Sequence, residues 1–227
     1  KPRRSEDEED FRLRFIQAGI MTTPELSVLE AQKEIGSFGE RIHRMFGMVR
    51  DLLVTKDEAA FAKLFARIEK YESISDNMEI EIGKYLEHVS DAHLSDDTKG
   101  KIRHMMREIS ELESIGDACY NLARILLRKS ESADDFTPEQ NAAIEKMMRL
   151  TDNAMKQMLE TICGRREEVS IAPTRDIEQK INDLRDELKL QNTTDVNSRK
   201  YGFAIGTMFI DVISECEKLG DYVVHVL

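Results

Sequence analysis

The sequence predicts an all-α protein built from six long helices, arranged as two pseudo-repeated three-helix bundles. Apolar residues recur every three to four positions over long stretches, as they do in amphipathic helices. No alternating strand pattern competes with them. The 227-residue chain is 34% charged and only 6% aromatic, a composition that favours long solvated helices over sheet. A chain of this length can bury a substantial core.

The first bundle is predicted over residues 23–131. Its first helix begins at Thr23-Pro24-Glu25, where threonine caps the helix and proline occupies its first position, and ends near residue 54. A second helix follows the TKDE turn and ends near residue 90, and a third covers about 98–128. Residues 1–22 are predicted to form a linker or N-terminal arm, because the first ten are almost entirely charged.

The second bundle is predicted over residues 136–227, after the polar linker KSESADDF. Its first helix starts with a capping box formed by Thr137 and Gln140 and ends near Cys163. The next helix covers about 173–191, QNTTDVN is predicted to be a turn or break, and the last helix runs from about residue 198 to the end.

Charge and cysteine content limit the classes of function. With 44 acidic and 33 basic residues, the net charge is −11, so nucleic acid is a poor partner and a cation a better one. Cys119, Cys163 and Cys216 are widely separated, odd in number and form no CxxC pair, which indicates a reducing compartment. Each is predicted to be buried. No membrane span or signal peptide is expected. The start KPRRSEDEED lacks methionine and suggests a piece of a longer protein.

Two acidic pairs interrupt the apolar pattern of the first bundle. Glu113 and Asp117 lie four apart on the third helix, and Glu72 and Asp76 lie four apart on the second. Side chains four apart stand about 40° apart around a helix and about 6 Å apart along it. If these two helices pack antiparallel, which their short connection favours, the four carboxylates converge on one small volume.

The second half repeats this arrangement. EKLGD, with Glu217 and Asp221, matches ESIGD of the first half, and both copies lie on the third helix of their bundle. Aligning the apolar residues of the second and fifth helices places Glu178 opposite Glu72, and Asn182 opposite Asp76. These correspondences indicate an internal repeat of about 105 residues.

A metal ion is the simplest counter-charge for such converging carboxylates. Oxygen ligands suit Mg, Mn, Ca or Fe. Glu108, Glu111 and Glu215 are predicted to be surface acids, and His225 remains a candidate further ligand. The alternative is that all the pairs lie on solvated faces and bind nothing. The predicted metal ligands are Glu72, Asp76, Glu113, Asp117, Glu178, Asn182, Glu217 and Asp221.

ESIGDACYNLA and EKLGDYVVHVL resemble the duplicated E-R-[IL]-G-D-x-x-x-N-I-A signature of the PhoU family. TTPELSVLEAQKEI and SDNMEIEIGKYL resemble the PhoU-like cytoplasmic tail of bacterial Na+/phosphate cotransporters. The resemblance implies two three-helix bundles, multinuclear metal binding with Fe, Mn or Mg, and regulation of phosphate transport. Three departures stand out: Ser114 replaces arginine, Asn182 replaces an acid and His225 replaces asparagine. Because Asn182 removes one anionic ligand, the second site should bind metal more weakly.

The leading hypothesis is a non-enzymatic, metal-binding regulatory domain of a sodium-dependent phosphate transporter. It would be cytoplasmic and tethered to the membrane through a transmembrane portion, which would be its partner, with a second copy of the chain as a further candidate partner. The alternatives are a free-standing PhoU-like regulator, a ferritin-like carboxylate-bridged metalloenzyme and a helical adaptor without metal. The metalloenzyme reading needs two Glu-x-x-His motifs, and only Glu40 and His43 form one.

Overall fold

The computed structural model describes residues 13–16, 23–164 and 170–227, and all regular structure within these ranges is helical. The predicted all-α fold of six helices is confirmed. None of the helices in these ranges is long and apolar enough to cross a bilayer. The helices are α1 (Pro24–Val54), α2 (Glu58–Ser90), α3 (Asp96–Ser130), α4 (Pro138–Cys163), α5 (Ala172–Asn197) and α6 (Phe203–Val226).

Side-chain caps set the start of the first four helices. Thr23, Asp57, Ser95 and Thr137 each accept a hydrogen bond from a backbone N–H of the first turn, which satisfies a donor that the helix itself leaves unpaired. The predicted capping box at Thr137 is confirmed, because the side chain of Gln140 also accepts the N–H of Thr137 at 2.9 Å.

The prediction of a break at QNTTDVN is wrong, because α5 continues through this segment to Asn197. Its polar side chains bond within the helix: the Gln191 amide donates to Asp195 at 2.8 Å, and the hydroxyls of Thr193 and Thr194 donate to carbonyls four residues earlier. The Gln191–Asp195 pair supports the helix, whereas the threonine bonds satisfy the hydroxyls without adding helix stability. The chain turns instead at residues 198–202, where Arg199 adopts a φ of 61°.

The helices pack as two sets of three that share one continuous apolar core. α1, α2 and α3 contact one another, as do α4, α5 and α6, and the two sets meet where α3 packs on α6 and α1 on α4. The bundle limits 23–131 and 136–227 stay a prediction. Cys119 and Cys216 are buried as predicted, whereas Cys163, at the end of α4, is exposed.

A charge cluster links α1 to α4. His43 lies 2.7 Å from Asp152, which also pairs with Lys156 at 3.0 Å and with Arg50 at 3.6 Å. Burial acts to raise the pKa of Asp152, but hydrogen bonds from His43 and Lys156 outweigh it and lower the pKa below its usual value. His43 is therefore used in packing the two halves together.

Residues 13–16 of the predicted arm lie against α1, and the rest of that arm falls outside the described residues. The fully buried carboxylate of Glu34 accepts the backbone N–H groups of Arg14, Phe15 and Ile16, the shortest bond being 2.7 Å to Phe15. Ile16 is buried in the core. One carboxylate therefore satisfies three consecutive backbone donors and holds the segment in place.

Glu34→Gln should release this segment, because an amide has a single acceptor oxygen and sets its own N–H groups against backbone donors. We expect the free energy of unfolding to fall by about 1–3 kcal/mol, the usual cost of an unsatisfied buried polar group. Faster hydrogen exchange at the amides of residues 14–16 would report the release. Asp51→Asn, at an exposed position of the same helix, is the matched control, and unchanged exchange in Glu34→Gln would contradict the clamp.

Candidate metal centre

The candidate site lies at a close contact of α2 with α3. A Cβ atom on Gly116 would come within 2.8 Å of the Ser75 hydroxyl oxygen and 3.1 Å of the Ile42 side chain. Glycine is therefore required at this position of α3 by close packing, although it disfavours helix. The predicted acids flank this contact on both helices.

All four predicted ligands of the first half come together at this contact. Carboxylate oxygens of Glu72, Asp76 and Asp117 lie within 4.8 Å of one another. Glu113 joins them through hydrogen bonds with Asp117 and Asp76. The antiparallel packing of α2 on α3 thus produces the convergence that the spacing of the acids predicted, and the metal-binding role of these residues stays a proposal.

The electrostatics of this cluster are those of crowded carboxylates. Burial, and then the charges of and hydrogen bonds with Asp76 and Asp117, raise the pKa of Glu72 to about 7. Burial, and then hydrogen bonds with Asp117 and Asp76, raise the pKa of Glu113 to about 9. In the absence of a cation these two groups hold protons at pH values where an exposed glutamate is ionised.

A fifth acid, Glu79, belongs to this cluster and was missed by the sequence analysis. Burial, and then the charges of Asp76 and Asp117, raise its pKa. The signal was present, since Glu79 follows Asp76 by three positions and Glu72 by seven and so shares their helix face. Glu79 was not predicted, because the predicted acid pairs are spaced four residues apart.

The donor set fits a hard cation. The acidic cluster of the first half, which we call the first centre, offers only carboxylate oxygens, the ligands that Mg, Mn, Ca and Fe accept. After burial, the largest influences on the pKa of its glutamates are other carboxylates. A bound cation would relieve this repulsion. The first centre consists of Glu72, Asp76, Glu79, Glu113 and Asp117.

The second cluster forms at the equivalent contact of α5 with α6. A Cβ on Gly220 would lie 3.2 Å from the Ile181 side chain. Burial and then Asp221 raise the pKa values of both Glu178 and Glu217, with which Asp221 shares hydrogen bonds. These three predicted ligands therefore meet, and we call them with Asn182 the second cluster.

Asn182 and the basic residues make the second cluster different. The Oδ1 atom of Asn182 is buried and has no hydrogen-bond partner within the described part of the chain. Arg185 places a guanidinium nitrogen 2.8 Å from Glu217, and Lys189 also lowers the pKa of Glu217. His225 lowers the pKa of Glu178. Its Nδ1 atom lies 3.8 Å from Glu111 on α3, and the side chain is 54% exposed.

The prediction that Glu108 is a surface acid is wrong. Its side chain is only 1% exposed and lies 2.8 Å from His104, four residues earlier on α3. Glu108 faces the interior of the first bundle, where the paired imidazole compensates for part of its desolvation. Glu215 is also largely enclosed, with a side chain 13% exposed and paired to Lys218 at 3.1 Å.

Comparison with known proteins gives the class of this fold. It is similar to PhoU from Pseudomonas aeruginosa, with a TM-score of 0.79, 12% identity, and coverage of 89% of this chain and 94% of that one. It is also similar to the phosphate transport system regulatory protein PhoU from Streptococcus pneumoniae, with a TM-score of 0.74, 14% identity, and coverage of 89% and 92%. No curated protein sequence matches the chain significantly.

These likenesses define an all-α protein with the PhoU fold. Within it, residues 35–126 match the PhoU domain, a range that includes every residue of the first centre. The predicted resemblance to the PhoU family is confirmed for the fold and for residues 35–126. Neither solved structure supports the narrower resemblance to a sodium/phosphate cotransporter.

The metal-free protein should lose stability as pH rises from about 4.5 to about 9. Below the unfolded pKa of 4.5, both states hold the Glu113 proton; above it, the unfolded chain releases the proton more readily than the folded one, whose pKa is about 9. Glu113→Gln, which stays neutral, should show a shallower decline and a higher urea midpoint at pH 8. Glu87→Gln, at an exposed position of α2, is the control, and parallel curves for all three proteins would refute this account.

Gly116→Ala should push α2 away from α3 and destabilise the protein by about 1–3 kcal/mol, the range for overpacked interiors. Gly100→Ala is the matched control on the same helix, since no atom lies within 4 Å of its added Cβ. There alanine should stabilise by up to about 1 kcal/mol through helix propensity. Urea unfolding measures both, and equal effects at the two positions would show that the contact tolerates a methyl group.

Proposed function

We propose that this protein is a PhoU-type regulator of phosphate transport whose first centre holds a metal ion. The observation that carries the proposal is the convergence of five carboxylates from two helices at the Ser75–Gly116 contact, inside the range that matches the PhoU domain. The named function of the second solved structure, a phosphate transport system regulatory protein, supports the regulatory role.

The first centre is better suited to holding a cation than to turning over a substrate. Glu72, Asp76 and Asp117 supply oxygens within 4.8 Å of one another, and Glu113 and Glu79 add further carboxylates. A cation there would bind the two helices together and replace protons on the glutamates. Iron, manganese and magnesium are the proposed ions. A phosphate ion would be repelled by the bare acids and could approach only a site that already holds a cation.

A ferritin-like enzyme is disfavoured by the position of the single Glu-x-x-His motif. Glu40 and His43 lie on α1, whereas the acids of the first centre lie on α2 and α3. His43 is engaged with Asp152 at 2.7 Å. The motif is therefore part of the contact between α1 and α4, and a regulatory, non-catalytic role is the better proposal.

The partner we propose is a separate phosphate transporter at the cytoplasmic face of the membrane. The two solved PhoU chains support this version over a transporter tail, because they are matched over 94% and 92% of their own length. The tethered cotransporter domain is the second version of the same regulatory function, and neither solved structure favours it.

Metal content of the purified protein, measured together with phosphate uptake, tests the proposal. Protein purified without chelator should contain tightly bound metal that Glu113→Ala/Asp117→Ala loses. Expressed in a bacterial host that lacks its own PhoU, the wild-type protein should change the rate of phosphate uptake relative to empty vector, and the double variant should not.

The matched control is Glu87→Ala/Asp91→Ala, which removes an exposed acid pair with the same spacing. It should keep both metal and the effect on uptake. Equal metal content in the wild-type protein and in Glu113→Ala/Asp117→Ala would remove the metal from this centre. Uptake equal to that of empty vector, with folded and metal-loaded wild-type protein present in the cells, would reject the regulatory role.

A further inference from the structure

The two halves can be compared residue by residue, because equivalent contacts set the register. Ser75 packs on Gly116 in the first half as Ile181 packs on Gly220 in the second. Ser75 and Ile181 are 106 positions apart, and the two glycines are 104 apart. These offsets relate α2 to α5 and α3 to α6, and they place the acids Glu113 and Asp117 opposite Glu217 and Asp221.

Under this register α5 reverses the charge of α2 along the face that meets the acids. Only Glu72 has an acidic counterpart, Glu178. The four α2 positions carry a formal charge of −4 and the four α5 positions carry +1. The α2 residues Glu69, Glu72, Asp76 and Glu79 correspond in order to Arg175, Glu178, Asn182 and Arg185.

Arg185 stands where the first centre has Glu79 and is already paired with one acid of the second cluster, Glu217. Its Nη1 atom lies 2.8 Å from Glu217, and both side chains are largely enclosed, at 24% and 17% exposure. The other side of the guanidinium contacts Asp186 at 3.0 Å, so the planar fork is held from two directions. This is a built ion pair within the second cluster.

Further positive charge surrounds the same acids. Lys189 and Arg185 both act on Glu217, and Arg175 and His225 both act on Glu178, in each case lowering the pKa that burial and Asp221 raise. The corresponding glutamates of the first centre have other carboxylates as their largest charged influences. The two clusters therefore share an acid scaffold and differ in the charge that surrounds it.

We propose that Arg185 is the resident cation of the second cluster, so that the protein holds metal at the first centre alone. The proposal rests on the proposed metal role of that first centre. A metal ion entering the second cluster would have to displace the guanidinium from Glu217, and the positive charge of Arg185 would still lie beside the ion. Asn182 offers the metal ion an oxygen without negative charge. That ligand does not compensate for breaking the ion pair between Arg185 and Glu217.

The test is a gain of metal binding in the full chain. Glu113→Gln/Asp117→Asn removes the first centre, and this background should bind no Mn²⁺ tightly by calorimetry or elemental analysis. Adding Asn182→Asp/Arg185→Glu recreates the first-half pattern in the second cluster and should restore tight Mn²⁺ binding. Gln179→Glu/Lys180→Glu, at exposed positions of α5, makes the same change in net charge and should restore none.

Two results would overturn the proposal. One is a background protein that still binds Mn²⁺ tightly and loses it on Glu178→Gln/Asp221→Asn. The other is an Asn182→Asp/Arg185→Glu protein that is folded by circular dichroism and gains no Mn²⁺. If the wild-type protein itself binds no metal, the proposed function of the first centre fails. The gain or absence of Mn²⁺ binding in the Asn182→Asp/Arg185→Glu protein still tests the role of Arg185.

A single substitution adds a readout that does not depend on recreating a site. Arg185→Gln removes the guanidinium and leaves Glu178, Glu217 and Asp221 without their resident cation. In metal-free buffer, Arg185→Gln should lower the melting temperature of the protein. When Arg185→Gln is combined with Glu113→Gln/Asp117→Asn, Mn²⁺ should raise the melting temperature of the resulting protein. A melting temperature that Mn²⁺ leaves unchanged would contradict the exchange of guanidinium for metal.

Discussion

The close contact of α2 with α3 at Ser75 and Gly116 is the constraint on which the rest of the first half depends. Glycine lets the two helices approach to a distance that a single methyl group would prevent. Glu72, Asp76, Glu113 and Asp117 lie within four positions of this contact, so the same packing that buries the core also brings their charges together. Core packing and site geometry are therefore one feature of the fold.

This arrangement is costly for the polypeptide alone. Burial and neighbouring acids raise the pKa of Glu113 to about 9 and that of Glu72 to about 7, so near neutral pH the cluster must hold protons or accept a cation. The apolar core supplies the stability that tolerates this repulsion. A cation at the first centre would then couple its own binding to the association of the two helices, which is how a site of this kind can influence a surface at a distance.

Periodicity and caps were enough to predict all six helices, because both depend on local geometry. The four-residue spacing was enough to predict that Glu72, Asp76, Glu113 and Asp117 meet, but it left out Glu79, which follows Asp76 by three positions. Some of what escaped prediction depends on partners that are distant in the sequence. Glu108 was assigned to the surface because of its charge, although its position three residues after Met105 and four before Leu112 places it on the apolar face of α3. The role of Arg185 was not predicted, because it becomes evident only when the sequence of α5 is aligned with that of α2. The break at QNTTDVN was predicted from composition alone, and α5 continues through the segment, where Gln191 pairs with Asp195 one turn later.

The asymmetry between the halves has a physical consequence. A carboxylate cluster with no positive side chain among its main influences responds to the supply of metal, since its stability depends on an ion that can leave. A cluster whose cation is a guanidinium on its own helix has the same charge balance at every metal concentration. Gly116 and Gly220 keep both helix contacts close. Under the proposal, Glu79 in one half and Arg185 in the other determine which of the two contacts depends on a metal ion. Because α3 packs on α6, loss of the proposed metal ion would loosen the contact of α2 with α3, while Arg185 would keep its pairing with Glu217 in the adjoining half.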